Sequence, residues 1–318
     1  MMLTRRTSLF ALAGAGVLTA TCGLALAQPH DASVGVLVMA HGGGATWNAE
    51  VEAMLAPLAR DYPLELAFGM AEAASLQAGV AKLEARGVKK ITVVRLFVSG
   101  ESFYERTEQI LGLAAGAEPK PAAPAGHGDH AAHGAGQGGG GHDMALWRIE
   151  TKSSFALSQQ GLAEAPEMGA VLVERVRALS KDPAKESILV IAHGPGDDAE
   201  DQRWLHMIDQ RAEAVRNAAP FRHVQAETLR EDWPEKRVVS EARIRAYVEA
   251  AAKDGNRVIV IPYRVAGFGP YAGVLEDLEY VADSKGLLPS AEVEHWVRRQ
   301  VKELAAGTFR APLTAHAH

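Results

Sequence analysis

Apolar and polar positions along the chain follow a pattern that predicts strands alternating with helices. The continuous apolar run at Val34–Met39 is typical of a strand covered on both faces of a sheet. A second strand is predicted at Leu64–Met70 and a third at Lys90–Val98, and helical periodicity marks Trp47–Arg60 and Ser75–Arg86. Further along, the pattern predicts a helix at Phe103–Leu113, a strand at Trp147–Lys152 and a helix at Gly169–Ser180.

The same order of elements then starts again. The pattern predicts strands at Ile188–Ile191, His223–Leu229 and Val258–Val265, and helices at Ala199–Asn217, Ser240–Lys253, Tyr271–Ala282 and Ala291–Leu304. Alternating strands and helices with buried-type strands predict an α/β protein with parallel sheets and right-handed crossovers.

The restart is an internal repeat with matching landmarks. "VLVMAHGGG" ends its apolar run in His41, and "ILVIAHGPG" ends in His193. In the same order, Glu72 matches Glu231, Gly100 matches Gly267 and Tyr104 matches Tyr271. We therefore expect two similar doubly wound halves, residues 28–183 and 184–318.

The N-terminal 27 residues have the composition of a targeting signal. "TRRTSLF" places Arg5 and Arg6 before an apolar run from Phe10 to Leu26, and "ALA" follows as a cleavage pattern. A Tat-like signal predicts an exported, periplasmic protein without a membrane segment after cleavage, whereas a membrane anchor is the alternative. Cleavage would also remove Cys22, so metal chemistry in the mature chain would depend on His, Asp and Glu.

Composition narrows the partners. The chain has 318 residues, enough for two domains, and a formal net charge of −6 with scattered Lys and Arg. Without a basic field, nucleic-acid binding is not expected.

A segment rich in Gly, Ala, Pro and His, residues 114–145, interrupts the first half. Such a composition cannot bury enough surface to order a backbone, so we expect a disordered insertion. It carries four histidines, which either bind divalent metal loosely or belong to an inert linker: His127, His130, His133 and His142.

His41 and His193 are the strongest candidates for chemistry. In a doubly wound sheet, ligands bind beyond the carboxyl ends of the strands, where both histidines are expected. Neutral imidazole binds divalent metals and accepts protons near neutral pH. The alternative is a structural histidine that caps a helix or ties the halves together. The loop lacks the Lys and Ser/Thr of a Walker motif, and no G-x-S-x-G elbow of a serine hydrolase is present.

A strand that ends in His-Gly, followed by "FGMAEAASLQAGVAKLEARGVKKITVVRLFVSG" at 68–100, resembles the class II tetrapyrrole chelatases. Within them the chain is most similar to the sirohydrochlorin cobaltochelatases and related ferrochelatases. The resemblance implies two α/β halves around a cleft in which a divalent metal enters a tetrapyrrole without ATP. Cobalt is the favoured metal, with iron, nickel or zinc as alternatives.

The chain departs from the family pattern at the second histidine of each half. Where the family has "AG-x-His", this sequence has Ser102 and Gly269. Three carboxylates are candidates to assist the two remaining histidines, or are ordinary solvated acids: Glu72, Glu101 and Glu231. Arg95 and Arg264 either pair with carboxylates of the macrocycle or with an internal acid. Tyr104 and Tyr271 are expected to pack in the core.

Two functions follow as expectations. One is a chelatase that inserts a divalent metal into a sirohydrochlorin-like tetrapyrrole. The other is an exported metal carrier or sensor that has the chelatase fold without insertion activity. Export favours the carrier, and the overall resemblance favours the enzyme.

Overall fold

Each sequence half builds a parallel sheet around its most apolar strand. The computed structural model describes residues 34–121 and 146–313. The predicted signal at 1–27 and the histidines of the insertion lie outside these residues. Within the described ranges, no helix is both long and apolar enough to cross a bilayer.

The first half has a four-stranded parallel sheet of order β2-β1-β3-β6. Its elements are β1 (Val34–Ala40), α1 (Ala45–Ala59), β2 (Leu64–Phe68), α2 (Ala73–Ala85), β3 (Lys90–Leu96), α3 (Tyr104–Ile110), β4 (Glu118–Pro119), β5 (Trp147–Arg148), β6 (Ser154–Leu157) and α4 (Glu167–Leu179). All seven residues of β1 are buried, as expected for a central strand covered by helices on both faces.

The second half repeats this arrangement with a parallel sheet of order β8-β7-β9. After a short 3₁₀ turn at Pro183–Lys185, its elements are β7 (Glu186–Ala192), α5 (Asp198–Ala218), β8 (His223–Thr228), α6 (Pro234–Lys253), β9 (Arg257–Tyr263), α7 (Tyr271–Val274) and α8 (Ala291–Ala305). A parallel bridge from Ile259 to Val281 takes the place beside β9 that β6 takes beside β3. The predicted α/β class with two similar parallel-sheet halves is confirmed.

The repeat extends to unusual backbone angles. Ala71 and Arg230 occupy matching positions and have φ of 54° and 58°. Gly42 and Gly194, directly after the two histidines, have φ of 80° and 78°. Residues other than glycine rarely adopt such angles, so the two turns share a backbone design as well as a sequence pattern.

The predicted fourth strand at Trp147–Lys152 is wrong in its position. Trp147 and Arg148 pair instead with Glu118 and Pro119, in a separate two-stranded parallel ladder. The following residues are held by side chains of α2, so the strand beside β3 begins only at Ser154. Residues 114–121 are therefore structured, and the boundary of the expected disordered insertion at 114 is too early.

The predicted helix at Tyr271–Ala282 is also too long. It ends at Val274, and Asp277 adopts a φ of 65°. The chain then runs extended, because the backbone of Val281 hydrogen-bonds to Val258 and Val260 of β9 at 2.8 Å each. Val281 therefore pairs with β9 at the edge of the sheet, and the last two turns of the predicted helix do not form.

The two halves exchange helices and share a core. Helix α4 packs on α5 and β9 of the second half, whereas α8 packs on β3 and β6 of the first. One hydrophobic cluster contains Val38, Val190, Tyr263 and Trp296. The described residues form one compact unit, so the boundary at 183/184 stays a prediction about the sequence repeat.

Candidate functional site

A cleft of about 790 Å³ lies at the carboxyl ends of the strands of both halves. The loops that follow β1, β3, β7, β8 and β9 contribute to its walls, because parallel strands deliver their carboxyl ends to the same edge. The two repeated histidines, His41 and His193, both line it. Both histidines thus lie at the carboxyl ends of the strands, and their binding of a ligand there stays a prediction.

Both histidines have the same hydrogen-bond partner at Nδ1, the carbonyl oxygen of the next residue. Nδ1 of His41 lies 2.9 Å from the carbonyl oxygen of Gly42, and Nδ1 of His193 lies 2.7 Å from that of Gly194. A carbonyl oxygen only accepts hydrogen bonds, so Nδ1 must carry the proton. In the neutral ring the lone pair is then on Nε2, which is the form in which imidazole binds metals.

Carboxylates surround His193. Its Nε2 lies 3.1 Å from Oδ2 of Asp232 and 3.9 Å from Oε2 of Glu231. Asp232 is largely exposed, whereas the side chain of Glu231 is buried and paired with Arg264. Nε2 of His193 therefore lies beside one exposed carboxylate and one that is held in an ion pair with Arg264.

The predicted substitute carboxylate, Glu101, lines the cleft but is engaged. Arg203 of α5 donates to both of its oxygens, from Nε at 2.9 Å and from a terminal nitrogen at 2.8 Å. This bidentate pair connects the loop after β3 with the second half. Its hydrogen bond to Glu101 raises the pKa of Arg203. Ser102, at the position of the missing histidine, also lines the cleft.

The structure places Glu72 at the N-cap of α2, outside the described lining of the cleft. Its carboxyl lies against Gly69, where an added Cβ would be 2.7 Å from the carboxyl carbon. Glu72 and its repeat partner Glu231 therefore occupy similar turns, and Oε2 of Glu231 lies 3.9 Å from Nε2 of His193.

Arg95 is buried behind the cleft. Its guanidinium donates to the carbonyl oxygens of Ser158 at 2.9 Å, Ser102 at 2.6 Å and Gly100 at 2.5 Å. It also lies 4.7 Å from the ring centroid of Tyr104. Burial lowers the pKa of Arg95 to about 10. These bonds fix the loop that carries Glu101 and Ser102.

Arg264 lines the cleft and pairs with Glu231, the internal acid that one of the two sequence interpretations allowed. The ring of Tyr271 lies 5.7 Å from its guanidinium, and burial raises the pKa of that tyrosine. Tyr271 is fully buried, which agrees with its expected role in packing.

Sequence reasoning missed several residues of the cleft. Asp232 directly follows Glu231 in "REDW", and its signal was its place one residue beyond a repeat landmark. Glu200 of α5 also lines the cleft, and burial raises its pKa. Trp47, Trp204 and Trp233 form walls, and no periodic pattern identifies them because their positions have no counterpart in the repeat.

The described residues contain no group of three or more His, Cys, Asp and Glu side chains arranged to hold a metal ion. The candidate metal ligands of the insertion, His127, His130, His133 and His142, lie outside the described residues. The cleft therefore offers the two histidines and neighbouring carboxylates as separate donors.

Comparison with known proteins identifies the fold of the chain. No protein-family model and no curated protein sequence matches the chain. Among solved structures, the chain is similar to SirB from Bacillus subtilis with Fe³⁺, at 14% identity and a TM-score of 0.58, over 86% of this chain and 96% of SirB. The sirohydrochlorin chelatase SirB from Bacillus subtilis subspecies spizizenii, in complex with cobalt, matches at 12% identity and a TM-score of 0.55, over 87% and 99%.

A third similar structure is DR2241 from Deinococcus radiodurans, a multi-domain protein with structural similarity to chelatases and two additional novel domains. It matches at 17% identity and a TM-score of 0.51, over 86% of this chain. This chain spans 55% of the length of that protein. Together these likenesses establish that the chain has the chelatase-like α/β fold with two Rossmann-like halves.

Proposed function

We propose that the protein binds a divalent metal ion and a tetrapyrrole in the cleft and inserts the metal without ATP, in the manner of a sirohydrochlorin chelatase. Co²⁺ is the favoured metal, and Fe²⁺, Ni²⁺ and Zn²⁺ are alternatives. The observation that carries this proposal is the matched pair of histidines. His41 and His193 line one cleft, and each has its Nδ1 bound to the next carbonyl, which directs the lone pair to Nε2.

The residues of the cleft fit the two tasks that insertion requires. The metal, which is a substrate here, needs donors that hold it over the macrocycle, and His41 and His193 supply imidazole nitrogen. The macrocycle loses its pyrrole N–H protons, so a base must lie nearby. Asp232, at 3.1 Å from Nε2 of His193, and the cleft carboxyl of Glu200 are placed to accept protons.

The predicted assisting carboxylates differ in their distance from this chemistry. Glu231 lies 3.9 Å from His193 and Glu101 lines the cleft, so both belong beside the proposed site. Glu72 lies outside the described lining, so we expect it to affect the site indirectly, through the turn after β2. Arg95 acts by holding the loop of Glu101 and Ser102 in place through its three carbonyl bonds.

A metal carrier or sensor is the second candidate, and one observation favours it. Among the described lining residues, each half brings a single imidazole to the cleft, and Glu101 is held by Arg203 in a bidentate ion pair. With few free bases beside the histidines, such a cleft is better suited to binding a metal ion than to removing protons from a macrocycle. The expected export signal at 1–27 also agrees with a carrier.

Metal insertion assayed by absorbance separates the two candidates. Purified protein is incubated anaerobically with Co²⁺ and either sirohydrochlorin or the less carboxylated mesoporphyrin, and formation of the metallated macrocycle is followed against the uncatalysed reaction. An enzyme accelerates metallation, and His41→Ala and His193→Ala reduce the rate while His206→Ala, an exposed histidine of α5 outside the cleft lining, leaves it unchanged. Tight Co²⁺ binding without acceleration, with Fe²⁺ tested as well, would support the carrier instead.

The role of Glu101 is tested by breaking its ion pair from either side. If Glu101 accepts a proton or binds the metal, Glu101→Gln lowers the insertion rate and Arg203→Gln does not. If Glu101 only connects the two halves, both substitutions have similar effects, because each removes the same bidentate pair.

A further inference from the structure

The walls of the cleft are flat and aromatic. Three of the chain's five tryptophans, Trp47, Trp204 and Trp233, line it. Trp233 is fixed in place: its ring is perpendicular to that of His193 at a centroid distance of 6.2 Å, and an added Cβ on Gly196 would lie 2.3 Å from it. Such walls favour a planar apolar ligand that stacks against indole rings.

Most charged residues that line the cleft are acidic. Glu101, Glu200 and Asp232 line it, and Arg264 is the one Lys or Arg among its described lining residues. Arg264 is neutralised by Glu231, whose side chain is only 11% exposed. The cleft thus offers bound anions no unpaired arginine or lysine from its described lining.

Beyond the lining, Arg203 is paired as well. Its Nε and one terminal nitrogen donate to the two oxygens of Glu101, so that carboxylate offsets its charge. The Glu200 carboxyl accepts a hydrogen bond from the Trp204 indole at 3.2 Å. Burial raises the Glu200 pKa, and the nearby Glu101 carboxylate raises it further, so the acids of the cleft already repel one another.

We propose that the tetrapyrrole taken by this cleft carries few carboxylates, in contrast to the heavily carboxylated sirohydrochlorin. This inference rests on the proposed function. A macrocycle rich in carboxylates would bring its acids against Glu200 and Asp232 without an arginine or lysine of the described lining to pair them. A macrocycle with a mostly apolar rim would instead stack on Trp47, Trp204 and Trp233 at little electrostatic cost.

Binding of metal-free porphyrins of graded charge tests the proposal without any need for turnover. The full chain is titrated into mesoporphyrin, a dicarboxylate, coproporphyrin, a tetracarboxylate, and uroporphyrin, an octacarboxylate, and the shift of the porphyrin absorption band gives each Kd. We expect affinity to fall in that order, with mesoporphyrin bound roughly tenfold or more tightly than uroporphyrin, or about 1.4 kcal/mol. Added salt should narrow this ratio, because it screens the repulsion.

Matched variants assign the preference to the cleft. Asp232→Asn, and separately Glu200→Gln, should improve uroporphyrin binding several-fold and leave mesoporphyrin binding nearly unchanged. Glu249→Gln, an exposed acid of α6 outside the cleft lining, should change neither. Trp233→Ala should weaken mesoporphyrin binding.

Two results would overturn the inference: equal or tighter binding of uroporphyrin, or no binding of any of the three porphyrins. Graded porphyrin binding without metal insertion would contradict the proposed enzyme while supporting this inference, so the two failures are distinguishable.

Discussion

Each cleft histidine depends on the glycine that follows it. Gly194 has a φ of 78°, and its carbonyl accepts the bond that fixes Nδ1 of His193. An added Cβ on Gly194 would lie 2.7 Å from Cβ of Thr228 and 3.1 Å from the side chain of Arg230. The orientation of the imidazole is therefore set by a backbone that only glycine adopts without strain.

Substitution of this glycine is expected to affect both stability and the site. Gly194→Ala should lower the free energy of unfolding by about 1–3 kcal/mol through strain at positive φ, and should weaken Co²⁺ binding by displacing His193. Gly255→Ala is the matched control, because Gly255 has a φ of 75° with nothing within 4 Å of an added Cβ. Thermal unfolding and Co²⁺ titration of both variants check this. Equal Co²⁺ affinity in the two variants would show that the turn does not position His193.

The missing second histidine should be restorable in one half only. Ser102 lines the cleft, and a histidine there adds a donor, so Ser102→His should tighten Co²⁺ binding roughly tenfold. Gly269 has a φ of 65°, and its added Cβ would lie 2.9 Å from the guanidinium of Arg264. Gly269→His should therefore lower the melting temperature without a gain in affinity. Calorimetric titration measures the affinities, and an equal gain from both substitutions would contradict the asymmetry.

At the scale of elements, side chains decide where one strand begins. Oε1 of Glu84 in α2 accepts hydrogen bonds from Thr151 Oγ1 at 2.6 Å, the Lys152 amide at 2.9 Å and the Ser153 hydroxyl at 2.8 Å. These bonds hold the chain just before β6. The apolar pattern located a strand in this region, but such long-range bonds have no periodicity, so the sequence placed it several residues too early.

The charge of Glu84 should make this part of the fold sensitive to pH. Burial alone would raise its pKa, but the hydrogen bonds from Thr151, Lys152 and Ser153 outweigh that effect and lower the pKa below 4.5. A carboxyl with a lowered folded-state pKa stabilises the protein above 4.5, and that stability is lost as the pH falls through the folded-state pKa. Glu84→Gln should therefore cost about 1 kcal/mol at neutral pH and progressively less in acid.

Denaturant unfolding at several pH values measures this difference. Glu52→Gln, an exposed acid of α1, is the control and should change stability little at any pH. A Glu84→Gln effect that is independent of pH would show that the carboxylate charge is not what holds the loop.

At the scale of the whole molecule, the sequence predicted two halves, and the structure joins them through exchanged helices. Trp296 of α8 is fully buried and donates to Gln160 of the first half at 2.9 Å. Arg175 of α4 donates to the carbonyl oxygens of Gly286 at 3.0 Å and Pro289 at 2.6 Å. The repeat was visible as matched landmarks. The exchange was not, because an amphipathic helix does not reveal which sheet it covers.

The shared core predicts cooperative unfolding. The full chain should unfold in a single transition, with equal calorimetric and van't Hoff enthalpies, because separating the halves would expose the core around Trp296 and Tyr263. Residues 28–183 or 184–318 produced alone should not show a cooperative transition. Two separable transitions in scanning calorimetry of the full chain would mean that the halves are independent domains.

The internal repeat predicted two residues of the site, His41 and His193. Each lies at the end of a strand, and both line the same cleft. The neighbours of His193 come from the turn after β8, and the aromatic walls come from helices whose mutual placement no local pattern specifies. For this reason the sequence located the histidines but not Asp232, Glu200 or the three tryptophans.

Both repeated histidines are expected to bind the same metal ion. Calorimetric titration with Co²⁺ tests this in a chain whose His127, His130, His133 and His142 are replaced by alanine, which removes the insertion as a competing site. Replacement is preferable to deletion, since the parallel strands β4 and β5 need a connection of a dozen or more residues.

We predict one cleft-bound Co²⁺ per chain, with affinity reduced roughly tenfold or more by His41→Ala and by His193→Ala. Two bound ions, each removed by one of the substitutions, would show that the halves bind metal separately. An isotherm that neither substitution changes would contradict the account, because the histidines would then be structural.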